Sequence, residues 1–391
     1  MSITQHTRAV VDHQALTAVA VDAGRRSGEI ESLRRLPADI VDGLIDSCVM
    51  RLWVPARYGG VEGSVADLID VLDAVSYHDG ATGWCIMIAN TTALNGGFLD
   101  PVFAEEIYGD PRAVTGGFGM PAGTGVAVDG GIRVTGQWAW GSGSHHCTWV
   151  GGGVRIVDDT GTPTKLADGT AAPFVYFDRS DVELLDTWHV MGLKGTGSTD
   201  YQVDDAFVPT GRWVSFAAGP EPVVDSPLYR FSFLGALGVG VASVTLGLAR
   251  RAIDELVLLG DKKPQGSSRS LSERATVQAD LAAAEAAVRS ASAFIHEVVA
   301  ECWDAAEHQG EMSGEQKRLL RLAANNAAER SAHAVGLCYR AGGGSALYET
   351  SPLQRVFRDV NVATQHGMIA PRLLEPLGRM RFGLPTDTRQ F

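Results

Sequence analysis

Cysteine and aromatic residues are both scarce in this 391-residue sequence, at five residues and 7%. The cysteines, Cys48, Cys85, Cys147, Cys302 and Cys338, are odd in number, widely scattered and never spaced as CxxC. That excludes a disulfide framework and a cysteine-rich zinc site. It fits a reducing, cytoplasmic setting in which thiols act as small apolar side chains. Positive charge is also short: 33 Lys and Arg face 46 Asp and Glu, a formal net charge of −13, and basic residues gather no further than pairs such as Arg25-Arg26 and Lys262-Lys263. A nucleic-acid groove or an anionic membrane surface needs more clustered charge than that. Residues 1–26 carry Asp12, His13 and Asp22 and hold no apolar core of the signal-peptide kind.

Most motifs that mark catalysis are missing too. There is no Walker-type phosphate loop, no HExxH pair, and Gly141-Ser142-Gly143-Ser144 is not a nucleophile elbow. Gly238-Val239-Gly240-Val241-Ala242-Ser243 imitates a dinucleotide fingerprint but sits inside a helical run and follows no strand. In His145-His146-Cys147, neighbours on a strand point to opposite faces, so at most His145 and Cys147 share an ion, and no metal is expected.

What is present is a definite order of elements. Residues 1–111 read as helical, with apolar Ile40, Val41, Leu44 and Ile45 in a segment over 38–48, Val65, Leu68, Ile69 and Leu72 over 64–75, and a more apolar helix over 81–94. Residues 112–218 read as β: Val126-Ala127-Val128 and Ile132-Arg133-Val134 flank Asp129-Gly130, a hairpin signal, and further strands fall at 148–157, 174–177 and 201–208. Residues 219–391 are helical again. The charge-free run 231–249 is nearly long enough to span a membrane, but Gly235, Gly238, Gly240, Gly247, Ser243 and Thr245 suit a buried helix in a soluble bundle. Ser270-Leu271-Ser272-Glu273, Ser313-Gly314-Glu315-Gln316 and Ser351-Pro352-Leu353-Gln354 each match a capping box. Val277, Leu281, Ala284, Val288, Ala291, Ile295 and Val298 form a heptad stripe, expected to pack a four-helix bundle and to leave apolar surface for a subunit contact. The fold class is therefore α+β: a helical domain, an inserted β domain and a four-helix bundle with an irregular tail.

Two segments carry chemical interest. In Trp138-Ala139-Trp140-Gly141-Ser142-Gly143-Ser144-His145, strand alternation puts Trp138, Trp140 and Ser142 on one face. That face serves equally to receive a flat polar ring or to fill a sheet core. In a helix over 351–366 stopped by Gly367, Asp359, Val362, Ala363 and His366 share a face and Arg355 is placed to pair with Asp359. His366 at that helix end is either a capping group favoured as imidazolium by the dipole or, if it meets the aromatic strand, part of a site.

Arg35-Leu36-Pro37, Val54-Pro55, Tyr58-Gly59-Gly60, the strand over 138–149, the run from Asp186 to Ser198, Asp204-Asp205-Ala206-Phe207-Val208-Pro209 and the segment from Pro352 to Asp359 together resemble the acyl-CoA dehydrogenase superfamily over nearly the whole chain. Trp140-Gly141-Ser142-Gly143-Ser144 and the late Gln365-His366 resemble, within it, the two-component flavin-dependent monooxygenases, the branch of the 4-hydroxyphenylacetate hydroxylase oxygenases. The resemblance implies an oxygenase component that hydroxylates a small aromatic substrate with O2 and reduced FMN or FAD. The reduced flavin would come from a separate reductase, since no nicotinamide-binding domain is read. It also implies a homotetramer. Hydrogen-bond donors near flavin N5 would be Ser142 and Ser144, with Trp140, Thr196 and Ser198 as further flavin contacts. His366, or else His145, would take a substrate proton, and Trp84 and Asn90 would line the substrate, Asn90 standing where relatives often have His. Arg269, Gly343 and Gly344 would meet the flavin of a neighbouring subunit, although Gly342-Gly343-Gly344 also reads as a plain helix stop and Gly195-Thr196-Gly197-Ser198 as a plain turn. The rivals are an FAD-dependent acyl-CoA dehydrogenase and a bundle protein without flavin.

Overall fold

The computed structural model describes residues 6–215, 220–264, 266–388 and 391. The boundary expected at 218 lies outside them. Six helices come first: α1 His13–Arg25, α2 Ser27–Leu33, α3 Ala38–Asp46, α4 Val65–His78, α5 Gly80–Ala93 and α6 Pro101–Tyr108. The sequence marks their starts. Asp12 caps α1, and Ser64 and Asp67 form a reciprocal capping box on α4. Asp79 accepts the Thr82 amide proton at the start of α5, whose residues are buried on nearly every side.

The strands β1 Thr115–Val128, β2 Gly131–Gly141, β3 Trp149–Val157, β4 Phe174–Asp178, β5 Glu183–Leu185, β6 Thr199–Pro209 and β7 Trp213–Val214 form one sheet in the order β5-β6-β2-β1-β3-β4-β7. Val128 pairs with Gly131 across Asp129-Gly130, as the hairpin signal requires, and Gly130 has φ +77°. β1 then pairs in parallel with β3. Trp138, fully buried, lies where a Cβ on Gly123, Gly136 or Gly152 would collide with its ring, and its Nε1–H donates to Gly153 O at 2.8 Å. The glycines of this sheet thus make room for one large core residue.

After the sheet come α7 Pro227–Arg230, α8 Phe233–Leu258, α9 Ala275–His308, α10 Gly314–Gly342, α11 Pro352–Ala363 and α12 Leu374–Arg381. α10 packs against α8, α9 and α11, and α8 also packs against α4 and α5, so the last bundle and the first helices share a wall. α8 is long and apolar enough to cross a membrane, but 78% of its most apolar stretch is buried inside the chain, which makes it a core helix.

Several local expectations are corrected. Ser270 and Glu273 do bond to each other, but α9 starts only at Ala275, with Arg274 as an N-cap that makes no side-chain bond. Ser351 likewise caps α11 without a side-chain bond, whereas Ser313 and Gln316 form the full box on α10. Of the heptad stripe, Leu281 is half-buried and the other six residues are buried, packed within the chain, so the stripe leaves no free apolar face for a partner. α11 stops at Ala363, not at His366. His366 has φ −66° and ψ 132°, and it caps the short turn Gly367–Ile369. It therefore does not continue the Asp359 face. Arg355 pairs with Glu31 at 3.4 Å, while Asp359 accepts the Leu193 amide proton at 2.6 Å.

Candidate active site

Three remote segments meet at one buried cluster. The Trp84 Nε1–H, on α5, donates to Ser142 Oγ at 3.1 Å, just past β2. Ser142 Oγ lies 2.6 Å from Ser198 Oγ, and Ser198 Oγ lies 2.6 Å from Thr196 Oγ1. Thr196 Oγ1 lies 2.8 Å from Leu193 O. A carbonyl only accepts, so the Thr196 proton goes to Leu193 O. Ser198 must then donate to Thr196, and Ser142 to Ser198. The O–H of Ser142 is thereby engaged, and Ser142 is not the free donor that the sequence suggested. Ser144 differs: its Oγ is buried and has no partner. It is the hydroxyl with a free proton in this row.

Trp138, Trp140 and Ser142 do not share a face. The β2–β6 register shifts between Trp138 and Gly141, and Trp140 has φ +61°. This left-handed backbone is uncommon outside glycine and strained for a bulky residue, and it turns the indole outward to 59% exposure, edge to face with Phe118.

The Trp84 ring also meets His366 edge to face, with centroids 5.6 Å apart. His366 Nδ1 accepts the Met368 amide proton at 3.2 Å. The neutral ring therefore carries its proton on Nε2. Desolvation, helped by the nearby Arg321 guanidinium, pushes the His366 pKa down to about 4. This is the reverse of the dipole-stabilised imidazolium expected for a helix end. His366 at neutral pH is a hydrogen-bond donor through Nε2, poorly suited to take a proton.

The remaining candidates separate. His145 is exposed, close against Gly197, and its pKa is lowered by desolvation and by Arg35, Arg179 and Arg34. Asn90 is fully buried, but its Nδ2 donates to Val49 O and Ile86 O and its Oδ1 accepts the Trp53 amide proton. These bonds make it a brace between α5 and the 49–53 turn and leave its amide nothing to offer a substrate. Arg269, in the α8–α9 connection, and Gly343 and Gly344, past the end of α10, are exposed. Cys147 beside the site is buried, with its thiol pushed up to about 12, so it stays neutral. Sequence reasoning missed Arg321 of α10, which is fully buried and donates to Leu234 O at 2.9 Å. An Arg in a helix otherwise reads as a solvent-facing residue, and no local pattern distinguishes this one.

Residues 239–371 match the acyl-CoA dehydrogenase C-terminal domain family. The chain is 32% identical over 360 residues to an indole-3-acetate monooxygenase of Pseudomonas putida, covering 92% of this chain and 90% of that one. It is 29% identical over 370 residues to HsaA of Mycobacterium tuberculosis, the oxygenase subunit of a flavin-dependent monooxygenase, covering 92% of each. The solved structure of XiaF from Streptomyces in complex with FADH2 and glycerol superposes with a TM-score of 0.88 at 26% identity, covering 95% of this chain and 96% of that one. With the helical, β and helical order and the Trp84–Ser142–His366 cluster in place, the chain belongs to the flavin-dependent monooxygenases built on the acyl-CoA dehydrogenase fold, and it is a flavin-dependent oxidoreductase.

Proposed function

We propose that this chain is the oxygenase component of a two-component system, hydroxylating a small aromatic substrate at the Trp84–Ser142–His366 cluster with O2 and reduced FMN or FAD delivered by a separate reductase. The observation that carries the reading is the free Ser144 hydroxyl, buried four positions after the turned-out Trp140. An orphaned buried donor on the same short segment as an exposed indole suits a flat ring with hydrogen-bonding edges, and a flavin fits that description. Trp140, Ser142, Ser144, Thr196 and Ser198 would hold it, with Ser144 donating and the Ser142–Ser198–Thr196 chain fixing the wall. When bound, reduced flavin supplies the activation of O2. The work of the protein is then orientation and exclusion of water. Trp84 touches both Ser142 and His366, and the Nε2–H of His366 is available to a substrate oxygen.

Further parts of the reading rest on the family. The domains divide at 1–111, 112–218 and 219–391, supported by the change from helix to sheet and back. A homotetramer is supported by exposed Val257 and Leu258 at the end of α8 and exposed Leu347 and Tyr348 past the end of α10, since Gly342, at that end of α10, lies close to Leu259. In such an assembly Arg269, Gly343 and Gly344 would reach the flavin of a neighbour. The site is cytoplasmic, in keeping with five free thiols.

Anaerobic titration with reduced and with oxidised flavin tests the proposal. Tighter binding of the reduced form is expected. Stoichiometric yellow FAD that is bleached by an acyl-CoA would instead establish a dehydrogenase.

A further inference from the structure

Arg321 is unusual among the described side chains. It is fully buried, and its guanidinium is used on one side only: Nη1 donates to Leu234 O at 2.9 Å and touches Met368 Sδ at 3.7 Å. Nε and Nη2, the two parallel donors on the other edge, have no partner. Among the described residues no carboxylate forms an ion pair with it, and burial alone depresses its pKa, to about 10. Gly238 of α8 makes room for the group, because a Cβ there would stand 2.5 Å from Nη1.

A buried cation without a counter-charge costs several kcal/mol, by the general cost of uncompensated buried charge. Something outside the described chain must offset it. The free edge has the geometry that matches a carboxylate, two N–H bonds in parallel. Its place narrows the source. Met368, which touches the guanidinium, follows His366 by two residues and donates its amide proton to the His366 ring, which in turn packs on Trp84. Arg321 therefore stands close to His366, which itself packs on Trp84. Met368 is partly exposed and flexible enough to give way to an entering group.

We propose that the Nε–Nη2 edge of Arg321 binds the carboxylate of the substrate, so that the enzyme takes an aromatic acid and holds its ring against the Trp84–His366 pair. The inference deepens the proposed function and rests on the placement of the substrate given there. Arg321 is a specificity-determining residue: it sets which ring system is held and in what orientation, and it takes no part in the oxygen chemistry.

The test is binding of matched probes, phenylacetate against phenylacetamide and indole-3-acetate against indole-3-acetamide, measured by calorimetry on the full-length protein. The expected result is that each acid binds wild type about tenfold to a hundredfold more tightly than its amide, the scale of one bidentate charge-assisted contact. Arg321→Met should remove that preference, weakening the acid far more than the amide. Arg321→Lys, which keeps the charge and loses the fork, should retain part of it. It also serves if the Met variant does not fold. Equal binding of acid and amide to wild type, including no binding of either at millimolar concentration, would overturn the inference, as would a preference that survives in both variants. Reduced-flavin titration on the same samples keeps the two readings apart: loss of acid preference with intact flavin binding concerns Arg321 alone, whereas wild type that binds no flavin removes the monooxygenase site itself.

Discussion

The rings of Trp84 and His366 meet edge to face with centroids 5.6 Å apart, although 282 positions (366 − 84) separate them in the chain. That contact joins α5 to the turn after α11, and because the same indole donates to Ser142 Oγ, it also ties both to the end of β2. The proposed site thus lies at the seam where the first helices, the sheet and the last bundle converge.

Ser144→Ala separates function from stability. The hydroxyl is buried without a partner. Its removal should leave the melting temperature unchanged or slightly higher, because no bond is lost and a desolvated polar group disappears. If Ser144 donates to the flavin, product formed per flavin oxidised should fall by about a hundredfold to a thousandfold, the range for loss of one preorganised donor. Hydrogen peroxide should rise to match. Ser142→Ala should behave differently. It leaves the buried Trp84 N–H without an acceptor, at a cost of about 1–3 kcal/mol.

His366→Ala is expected to lower hydroxylation by about a hundredfold or more while flavin oxidation continues. It should also cost about 1 kcal/mol of stability, since the Met368 amide loses its capping partner. Because burial holds the His366 pKa near 4, the rate should show no His366 titration between pH 6 and 8. A limb near pH 6.5 that disappears in His366→Ala would show a base where a donor is assigned.

Much of the fold was legible before any coordinates. The Asp129-Gly130 hairpin, the strands near 148–157 and 174–177 and the Ser313 box are local signals, set by turn residues and alternation, and each appears close to its expected place. The site was legible only as a set of parts. Trp84, Ser142, Ser198 and His366 were named individually, but their contacts cross the whole chain and no spacing encodes them. What failed was local reasoning overridden by tertiary context. The helix read through to His366 ends at Ala363, Trp140 leaves the strand alternation through a positive φ, and Asn90 is consumed by backbone bonds.

Stability should respond to pH through the buried Asp359 and the half-buried His366 and His146, with opposite signs. His366 and His146 are held near pKa 4, below the usual 6.5, both chiefly by desolvation. Between those values the unfolded chain binds more protons, so their contribution is complete above pH 6.5 and is lost as pH falls towards 4. Asp359 is raised from 3.8 to about 7 by desolvation, so its contribution is complete below pH 3.8 and is lost as pH rises through 7. Urea midpoints across pH check both signs. His146→Gln should flatten the acid side, and Asp359→Asn should be more stable than wild type above pH 7.

Trp140→Gly tests whether the strained backbone serves binding. Glycine accepts φ +61° without penalty, so the strain of order 1–2 kcal/mol should be relieved, offset in part by the greater freedom of glycine in the unfolded chain. The variant should melt at or above the wild-type temperature and bind reduced flavin more weakly. A variant that melts lower with flavin affinity intact would make Trp140 a structural residue.

The central claim, that this chain transfers oxygen from O2 to an aromatic ring at the Trp84–Ser142–His366 cluster, is tested most directly by turnover under isotopically labelled O2 with chemically reduced FAD or FMN. Mass spectrometry of the product from indole-3-acetate or a simple phenol supplies the readout. The account predicts one labelled oxygen atom in each product molecule from wild type, and a large shift of label into hydrogen peroxide in Ser144→Ala and His366→Ala. Product oxygen that comes from water, or label recovered wholly as peroxide from wild type with every aromatic substrate offered, would contradict it.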